Sequence, residues 1–560
     1  MRSFITCILI IFITTPLVAQ KISRQIPVQN QDQYLNIPVT GWSSDYDGEQ
    51  KMMRILHNGE VLDEFSISLS NGDPDWWAFF PVQQYQGETL TVELDDPAGE
   101  EGLDRVFVDP EFQGQEDVYQ ERYRQQVHFS SRRGWNNDPN GLIWYNGEWH
   151  LFYQHNPYGW SWGNMHWGHA VSKDLIHWQE LPDALYSQNH DHMAFSGGAV
   201  VDPQNTSGFR RDGVDPLIAT YTRTGSGEHL ALSYDNGRSF EEYEGNPVVE
   251  HRGRDPKVFW YEPGEHWVMV VYSESHKREL ESGEEVRLYQ HSIYTSSNLK
   301  DWTYQSGVTN FFECPELFEL PVEGAPGESK WVMYDGDGKY VVGEFDGKEF
   351  TVEQGVRKYD YGGDFYASQT YSNVPKENGR RIQIGWFQTE TPYMPFNQSM
   401  TFPTELKLKR KADGYLLTPT PLEEIEKLHT RSWKVEDRML RDTTLSSPIR
   451  GDQVHIIAEL DKGDATTFGM NINGYELNYN LLRSTLNNTF YPIDKTIKFE
   501  VIVDKIGMEV FVNDGELYFV EQYNSVDTEQ KVEVFSSGRG DPKLLIKNFE
   551  VHELSSIWGK

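Results

Sequence analysis

Cysteine is nearly missing from this 560-residue chain, which has two, Cys7 and Cys314. Cys7 falls inside the apolar N-terminal run, so the rest of the chain keeps a single thiol. That excludes an internal disulfide and any cysteine-based metal site. Basic stretches are missing as well. Lys and Arg total 50 against 86 Asp and Glu, a formal charge of −36, which makes nucleic acid and anionic membrane surfaces poor partners. The long apolar run is confined to MRSFITCILIIFITTPLVAQ at the start. Its early Arg2, short apolar stretch and Leu17-Val18-Ala19 read as a secretory signal peptide over residues 1–19, too short to anchor a chain in a membrane. The expectation is a mature chain that is secreted, periplasmic or on the cell surface, not inserted in a membrane, and held by its cores alone.

Aromatic residues, in contrast, are plentiful: 14% of the chain, with 17 Trp and 30 Tyr. Such a composition suits β-structure and sugar-binding surfaces alike. The length calls for two or three domains. Residues 20–122 carry short alternating segments such as Thr89-Leu90-Thr91-Val92-Glu93-Leu94, separated by turns such as Asn71-Gly72-Asp73-Pro74, and read as a small β-domain. Trp76-Trp77 within it read as core or interface rather than a sugar platform. Glu116 to Gln126 reads as a helical linker. Residues 421–560 open on a short connecting helix, Pro421 to Leu428. They continue in alternating strands, Val454 to Leu460 and Ile497 to Asp504, which points to an antiparallel β-sandwich.

The middle of the chain, 123–420, repeats itself. A strand opener followed by a strand and a hairpin appears as Asp138-Pro139-Asn140-Gly141-Leu142-Ile143-Trp144-Tyr145. It returns as Asp255-Pro256-Lys257-Val258-Phe259-Trp260-Tyr261 and as Glu313-Cys314-Pro315-Glu316-Leu317-Phe318. Looser copies start near Phe195-Ser196-Gly197 and near Asp364-Phe365-Tyr366-Ala367-Ser368. A second phrase, Ser172-Lys173-Asp174-Leu175-Ile176-His177-Trp178 and Ser296-Ser297-Asn298-Leu299-Lys300-Asp301-Trp302, closes units. Openers recur at roughly 50 to 60 residues, near the period of four-stranded propeller blades. Five openers predict five blades. The whole chain is therefore read as all-β: a small N-terminal β-domain, a five-bladed β-propeller and a C-terminal β-sandwich.

In a propeller the innermost strands line a central channel, and equivalent positions form a ring about it. Asp138, Asp255 and Glu313 occupy equivalent positions in three units and should converge on one end of that channel. Crowded carboxylates raise at least one pKa in the group, and at least one member needs a cation or donors to stay charged. Arg254 can supply that charge. A protonated acid beside an ionised carboxylate is what glycoside hydrolysis requires. Hard cations also favour carboxylates, but the surrounding aromatics and the single Arg favour a sugar over calcium.

Trp135-Asn136-Asn137-Asp138-Pro139-Asn140-Gly141, Arg254-Asp255-Pro256 and Glu313-Cys314-Pro315, in this order and spacing, resemble glycoside hydrolase family 32, the invertases, inulinases, levanases and related fructan hydrolases. Gln154, the run from Trp162 to His169, Phe195-Ser196-Gly197, Gly385-Trp386 and the run from Met400 to Leu406 match as well. The resemblance covers about 123 to 560. It implies Asp138 as nucleophile, Glu313 as acid and then base, and Asp255 as the group that holds fructose hydroxyls and stabilises the transition state. It implies that Arg254 fixes the carboxylates, that Asn137, Gln154 and Ser196 hydrogen-bond the sugar, and that Trp162, Phe195 and Trp386 wall the pocket. Hydrolysis would retain configuration through a fructosyl-enzyme intermediate, with no metal or organic cofactor. Asn136 stands where the family often has Met, and Gly198 where a second Ser is frequent. Cys314 reads as a small buried packing residue beneath Glu313.

The expected activity is release of fructose from the ends of a fructan or fructo-oligosaccharide, with levan ahead of inulin. Sucrose cleavage, internal cleavage of levan and fructosyl transfer use the same intermediate. A fructan-binding protein without catalysis is disfavoured by the intact carboxylates, and an arabinan hydrolase by the Asn-Asp-Pro-Asn-Gly and Glu-Cys-Pro phrases.

Overall fold

The computed structural model describes residues 21–42, 50–279, 285–375, 379–538 and 542–559, without the side chains of 275–288. The segment read as a signal peptide, residues 1–19, lies outside the described residues. Among those described, no helix is long and apolar enough to cross a membrane.

Alternation of apolar and polar residues shapes the N-terminal module. In Thr89–Leu94, Leu90, Val92 and Leu94 are buried while the residues between face outward, the period-2 pattern of a half-buried strand. This strand lies in a sheet ordered Ile22–Pro27, Thr89–Leu94, Lys51–His57, Glu60–Ile67. A second sheet is ordered Trp76–Pro81, Tyr34–Val39, Phe107–Asp109. Their inner faces share one apolar core that includes Trp76. Trp77 packs edge-on against Phe107, with ring centroids 5.5 Å apart.

Five four-stranded antiparallel blades follow. Their innermost strands are Gly134–Tyr145, Ala194–Val201, Gly253–Tyr261, Glu316–Glu323 and Phe365–Thr370, the five openers of the sequence. Asn146 and Gly147, both with positive φ, turn the first strand back into Glu148–Asn156, as the two-residue hairpin loop requires. The ring closes where the first and last innermost strands meet. Trp144 N donates to Ser372 O at 3.1 Å, and Ser372 N to Leu142 O at 2.8 Å.

Two six-stranded sheets form the C-terminal sandwich, with Val454, Ile456, Ala458 and Leu460 in its core. The connecting helix is a 3₁₀ helix, Glu423–Leu428. The expected helix at 116–126 is absent, and only Gln115–Asp117 makes a 3₁₀ turn. Tertiary contacts override its propensity. Tyr119, at φ 65°, stacks on Trp558 at 3.9 Å. Buried Arg124 donates to the carbonyls of Ser130 and Ser131 at 3.4 and 2.6 Å.

A buried histidine docks each flanking module on the propeller. His166 donates to Asp63 of the N-terminal module at 2.8 Å, and the Tyr158 hydroxyl donates to the same carboxylate at 2.6 Å. His128 bridges Asp504 and Glu509 of the sandwich at 3.0 and 2.9 Å. Burial opposes the charge on each ring, but the carboxylates outweigh it and hold both imidazoles up at about 9, against an ordinary 6.5. A raised folded pKa makes this contribution complete below 6.5 and lost as pH climbs through about 9. We expect the unfolding temperature to fall over that window. Asp63→Asn should destabilise the fold at the acid end, by about 3–5 kcal/mol for a broken buried pair, and flatten the pH dependence. Calorimetry across a pH series measures both effects.

Candidate active site

Asn136 to Gly141, which reads as a turn in the sequence, is a bulged part of the strand Gly134–Tyr145. The pairing register shifts between Asn136 and Pro139, and Asp138 lies in the shift. Bulges re-aim side chains, and the same device recurs at the same level of the channel. Ser196 lies in the shift between Ala194 and Gly197, and Asp255 in that between Arg254 and Lys257. Glu313 precedes its strand. The chain there turns through Cys314 at φ 49°, while Asp255 itself has φ 67°. Non-glycine residues in this region store strain, a recurrent feature of functional sites.

These turns bring Asp138, Asp255 and Glu313 into one hydrogen-bonded cluster. Asp138 accepts from Ser196 Oγ at 2.6 Å and from Asn137 Nδ2 at 3.0 Å. Asn137 is itself fixed by Trp135 Nε1 at 3.0 Å. Asp255 accepts from the Cys314 amide at 3.1 Å. The Cys314 thiol lies 3.8 Å from both Asp138 Oδ2 and Asp255 Oδ2. Arg254 binds Glu313 through Nη2 and lies 3.9 Å from Asp255. Its guanidinium is held over the rings of Tyr272 and Phe312. The Tyr366 hydroxyl donates to the other oxygen of Glu313 at 2.8 Å. Cys314 therefore does more than pack, since it ties two carboxylates together.

Burial sets the charge states. It pushes the Asp255 carboxyl, 4% exposed, up to about 7 against the pull of Arg254, and the Asp138 charge adds to the rise. Burial also raises Asp138, while Ser196 and Asn137 pull it back toward the charged form. The Cys314 thiol is driven well up by burial and by the carboxylates beside it, so it serves as a donor rather than a thiolate. Burial likewise raises the Tyr366 phenol, keeping its proton available to Glu313.

Aromatic rings flank the cluster on two sides. Trp162, 45% exposed, meets Phe195 edge-on at 5.9 Å. Trp386 meets Trp135 at 5.9 Å and Tyr366 at 6.3 Å, also edge-on. Gln154 is buried and donates to Ala194 O at 3.0 Å, next to Phe195, so it supports the Trp162 side without bonding the carboxylates. Farther along the strands, Lys257 and Glu316 pair at 2.7 Å, and Lys257 Nζ donates to Thr370 O at 2.6 Å. Lys257 also lines a cavity of about 910 Å³, together with Trp144, Trp260, Leu320 and Tyr371.

Residues 128–419 match the family described as "Glycosyl hydrolases family 32 N-terminal domain". The chain belongs to glycoside hydrolase family 32. It is 37% identical to a levanase of Bacillus subtilis (strain 168), over 79% of this chain and 72% of that protein. It is 30% identical to an extracellular exo-inulinase of Aspergillus niger, over 79% and 96%. Its structure is similar to that of an exo-inulinase from Aspergillus awamori, with a TM-score of 0.68 at 28% identity, covering 79% of this chain and 100% of that one. A β-fructofuranosidase from Schwanniomyces occidentalis complexed with fructosyl-erythritol gives 0.67 at 26% identity, covering 78% and 99%. As a family 32 member the chain is a glycoside hydrolase, and it shares the propeller-and-sandwich fold of these neighbours.

Tyr366 is the contact that the sequence reading passed over. It stands in the fifth opener, Asp364-Phe365-Tyr366-Ala367-Ser368, and in the bulge between Tyr366 and Gln369, so the repeat itself carried the signal. Trp135, at the head of the first motif, has its task only in three dimensions, where its indole N–H holds Asn137.

Asp255 generates a test. A folded pKa of about 7 against an ordinary 3.8 gives stability that is present below 3.8 and lost as pH rises through about 7. Asp255→Asn, which mimics the protonated form, should be more stable than wild type at pH 8, by ~4 kcal/mol at most, and unfold at a higher temperature. The gap should close toward pH 4. Paired thermal melts at the two pH values measure it.

Proposed function

We propose that this family 32 enzyme is an exported, retaining β-fructosidase that releases fructose from the ends of fructan chains, with levan as first substrate and inulin as second. The observation that carries the reading is the convergence of Asp138, Asp255 and Glu313, from three blades, on Cys314 and Arg254. The relatives named levanase and exo-inulinase support the substrate class, and the name "extracellular" fits the apolar start of the sequence.

Asp138 would attack the anomeric carbon of a fructofuranosyl unit as the bond to the leaving oxygen breaks. Donors from Ser196 and Asn137 favour the carboxylate form that attack requires. Glu313 would give its proton to the leaving oxygen. Arg254 and Tyr366 then face the negative charge left on Glu313. In the second half, water would attack the fructosyl ester, Glu313 would take the water's proton, and Asp138 would leave as carboxylate. Asp255 would hold fructose hydroxyls and oppose the positive charge that develops on the ring. The half-exposed Trp162 with Phe195 on one side, and Trp386 on the other, would wall a single terminal sugar.

Time courses on levan, inulin and sucrose, resolved by chain length, test this. Fructose alone should accumulate from levan, and Asp138→Ala should lower kcat by about four orders of magnitude or more. NMR of the first-formed product should show the β-anomer, the mark of retention. An early ladder of oligosaccharides would mean internal cleavage, and no product from any of the three would overturn the reading. Tyr366→Phe, which keeps the ring but loses the bond to Glu313, should lower kcat about tenfold.

A further inference from the structure

Two aromatic residues outside the carboxylate cluster meet across the border between the N-terminal module and the propeller. Trp42, partly buried against the N-terminal core, and Tyr393 of the fifth blade stand edge-on, with ring centroids 6.5 Å apart. Tyr393 is 72% exposed and has φ 65°. A bulky residue in the left-handed region, with its ring in solvent, gains nothing from packing and points to a task outside the fold.

Both rings sit on anchored turns. Asp75 accepts from the Gly41 amide at 2.6 Å and from Thr40 Oγ1 at 3.0 Å, and Trp76 Nε1 donates to Gly41 O at 3.3 Å. On the other side, the Met394 amide donates to Thr391 O at 3.1 Å. Trp160 Nε1 donates to Met394 O at 3.0 Å, and Asn397 Nδ2 donates to Trp160 O at 3.1 Å. These anchors tie the turn of Tyr393 to the segments that wall the pocket. Trp160 is two residues from Trp162. Phe396-Asn397 pair in parallel with Gly134-Trp135, just ahead of Asp138. Gln398 accepts from Trp386 Nε1 at 3.0 Å. Both walls of the site thus lead into the turn that carries Tyr393.

We propose that Trp42 and Tyr393 form a rim subsite for the fructosyl units on the leaving side of the scissile bond, so that the N-terminal module takes part in selecting long chains. This rests on the β-fructosidase reading. A chain whose terminal sugar fills the pocket would leave past the segments that wall it, to which the turn of Tyr393 is tied. Fructan carries no charge, so aromatic faces rather than ion pairs are the contacts that suit it. Sucrose, with one sugar beyond the bond, stays within the pocket walls.

The test compares Tyr393→Ala, Trp42→Ala and Tyr393→Phe with wild type, by kcat and KM on sucrose and on long-chain levan. Both alanine variants should raise KM for levan about 3- to 10-fold, the range of one aromatic contact, with kcat and the sucrose constants unchanged. Tyr393→Phe should behave as wild type. Tyr393 is solvent-exposed, so its removal leaves the fold intact even if Trp42→Ala fails to fold. Equal losses on sucrose and levan, or no loss on either, would overturn the subsite while wild-type activity upholds the β-fructosidase reading. A changed molecular mass in Tyr393→Ala would assign the rings to an interface between copies and overturn it too. A wild type inactive on both substrates would remove the functional reading and the subsite together.

Discussion

A closed ring of blades imposes the constraint from which the site follows. Regular innermost strands would alternate side chains between neighbouring blades and leave the channel mouth lined by backbone. Four of the five strands break register at the same level, between Asn136 and Pro139, Ala194 and Gly197, Arg254 and Lys257, and Tyr366 and Gln369. The fifth unit makes the same departure through the left-handed Cys314. The departures release Asp138, Ser196 and Asp255 from their ladders, while Tyr366 stays paired with Trp386 at the edge of its shift. Asp138, Ser196, Asp255, Glu313 and Tyr366 therefore meet although the chain spreads them over more than two hundred residues.

That gathering is electrostatically costly, and the chain is already strongly anionic. The compensation is local. Donors from Ser196, Asn137, the Cys314 amide and Tyr366 reach the carboxylates directly. One guanidinium serves both Glu313 and Asp255. Farther along the strands Lys257 and Glu316 are buried as a matched pair, which adds no net charge beneath the carboxylates. Burial then divides the labour: Asp255 keeps its proton up to about 7, which eases repulsion on Asp138 when no sugar is bound. Stability is given up at this point, as is usual where a site must hold charges ready for a substrate.

Much of this was legible in the sequence because the architecture repeats. A phrase that returns five times defines its blades without any measured contact, and equivalent positions on a ring must converge. The carboxylates and Arg254 were found that way. What stayed hidden depended on contacts between distant segments. The stretch from Glu116 to Gln126 has helical propensity, but Tyr119 stacks on Trp558 and the Arg124 guanidinium lies over Phe396 at 3.3 Å. Local preference does not survive such docking. Cys314 reads as filler from its size alone. Its amide and thiol matter only because Asp255 and Asp138 come from other blades. Gln154, read as a sugar contact, also uses one amide N–H on the Ala194 carbonyl of the next blade, a bond its sequence position does not announce.

The two flanking modules differ in what their docking accomplishes. The sandwich shares a continuous apolar core with the propeller, in which Ile502, Phe511 and Leu554 join Phe129, Phe387 and Leu428. His128 sits inside that seam and satisfies two carboxylates at once, which makes the sandwich a brace. The N-terminal module draws fewer propeller rings into its core: Tyr158, stacked on Phe65 at 3.5 Å, and Tyr186, edge-on to Phe80 at 5.7 Å. Its polar bonds reach several propeller segments, Ser187 and His190 through Glu64 among them, and a group of them holds the segment 158–166. Asp63 holds Tyr158 and His166, and Ser66 exchanges two bonds with the Asn164 amide at 2.8 and 2.7 Å. That segment carries Trp162. A module meant only to stabilise the propeller would gain more by covering apolar blade edges. Binding the loop that walls the pocket on both sides of its exposed tryptophan instead fixes where that ring stands, and so couples the N-terminal module to the shape of the site.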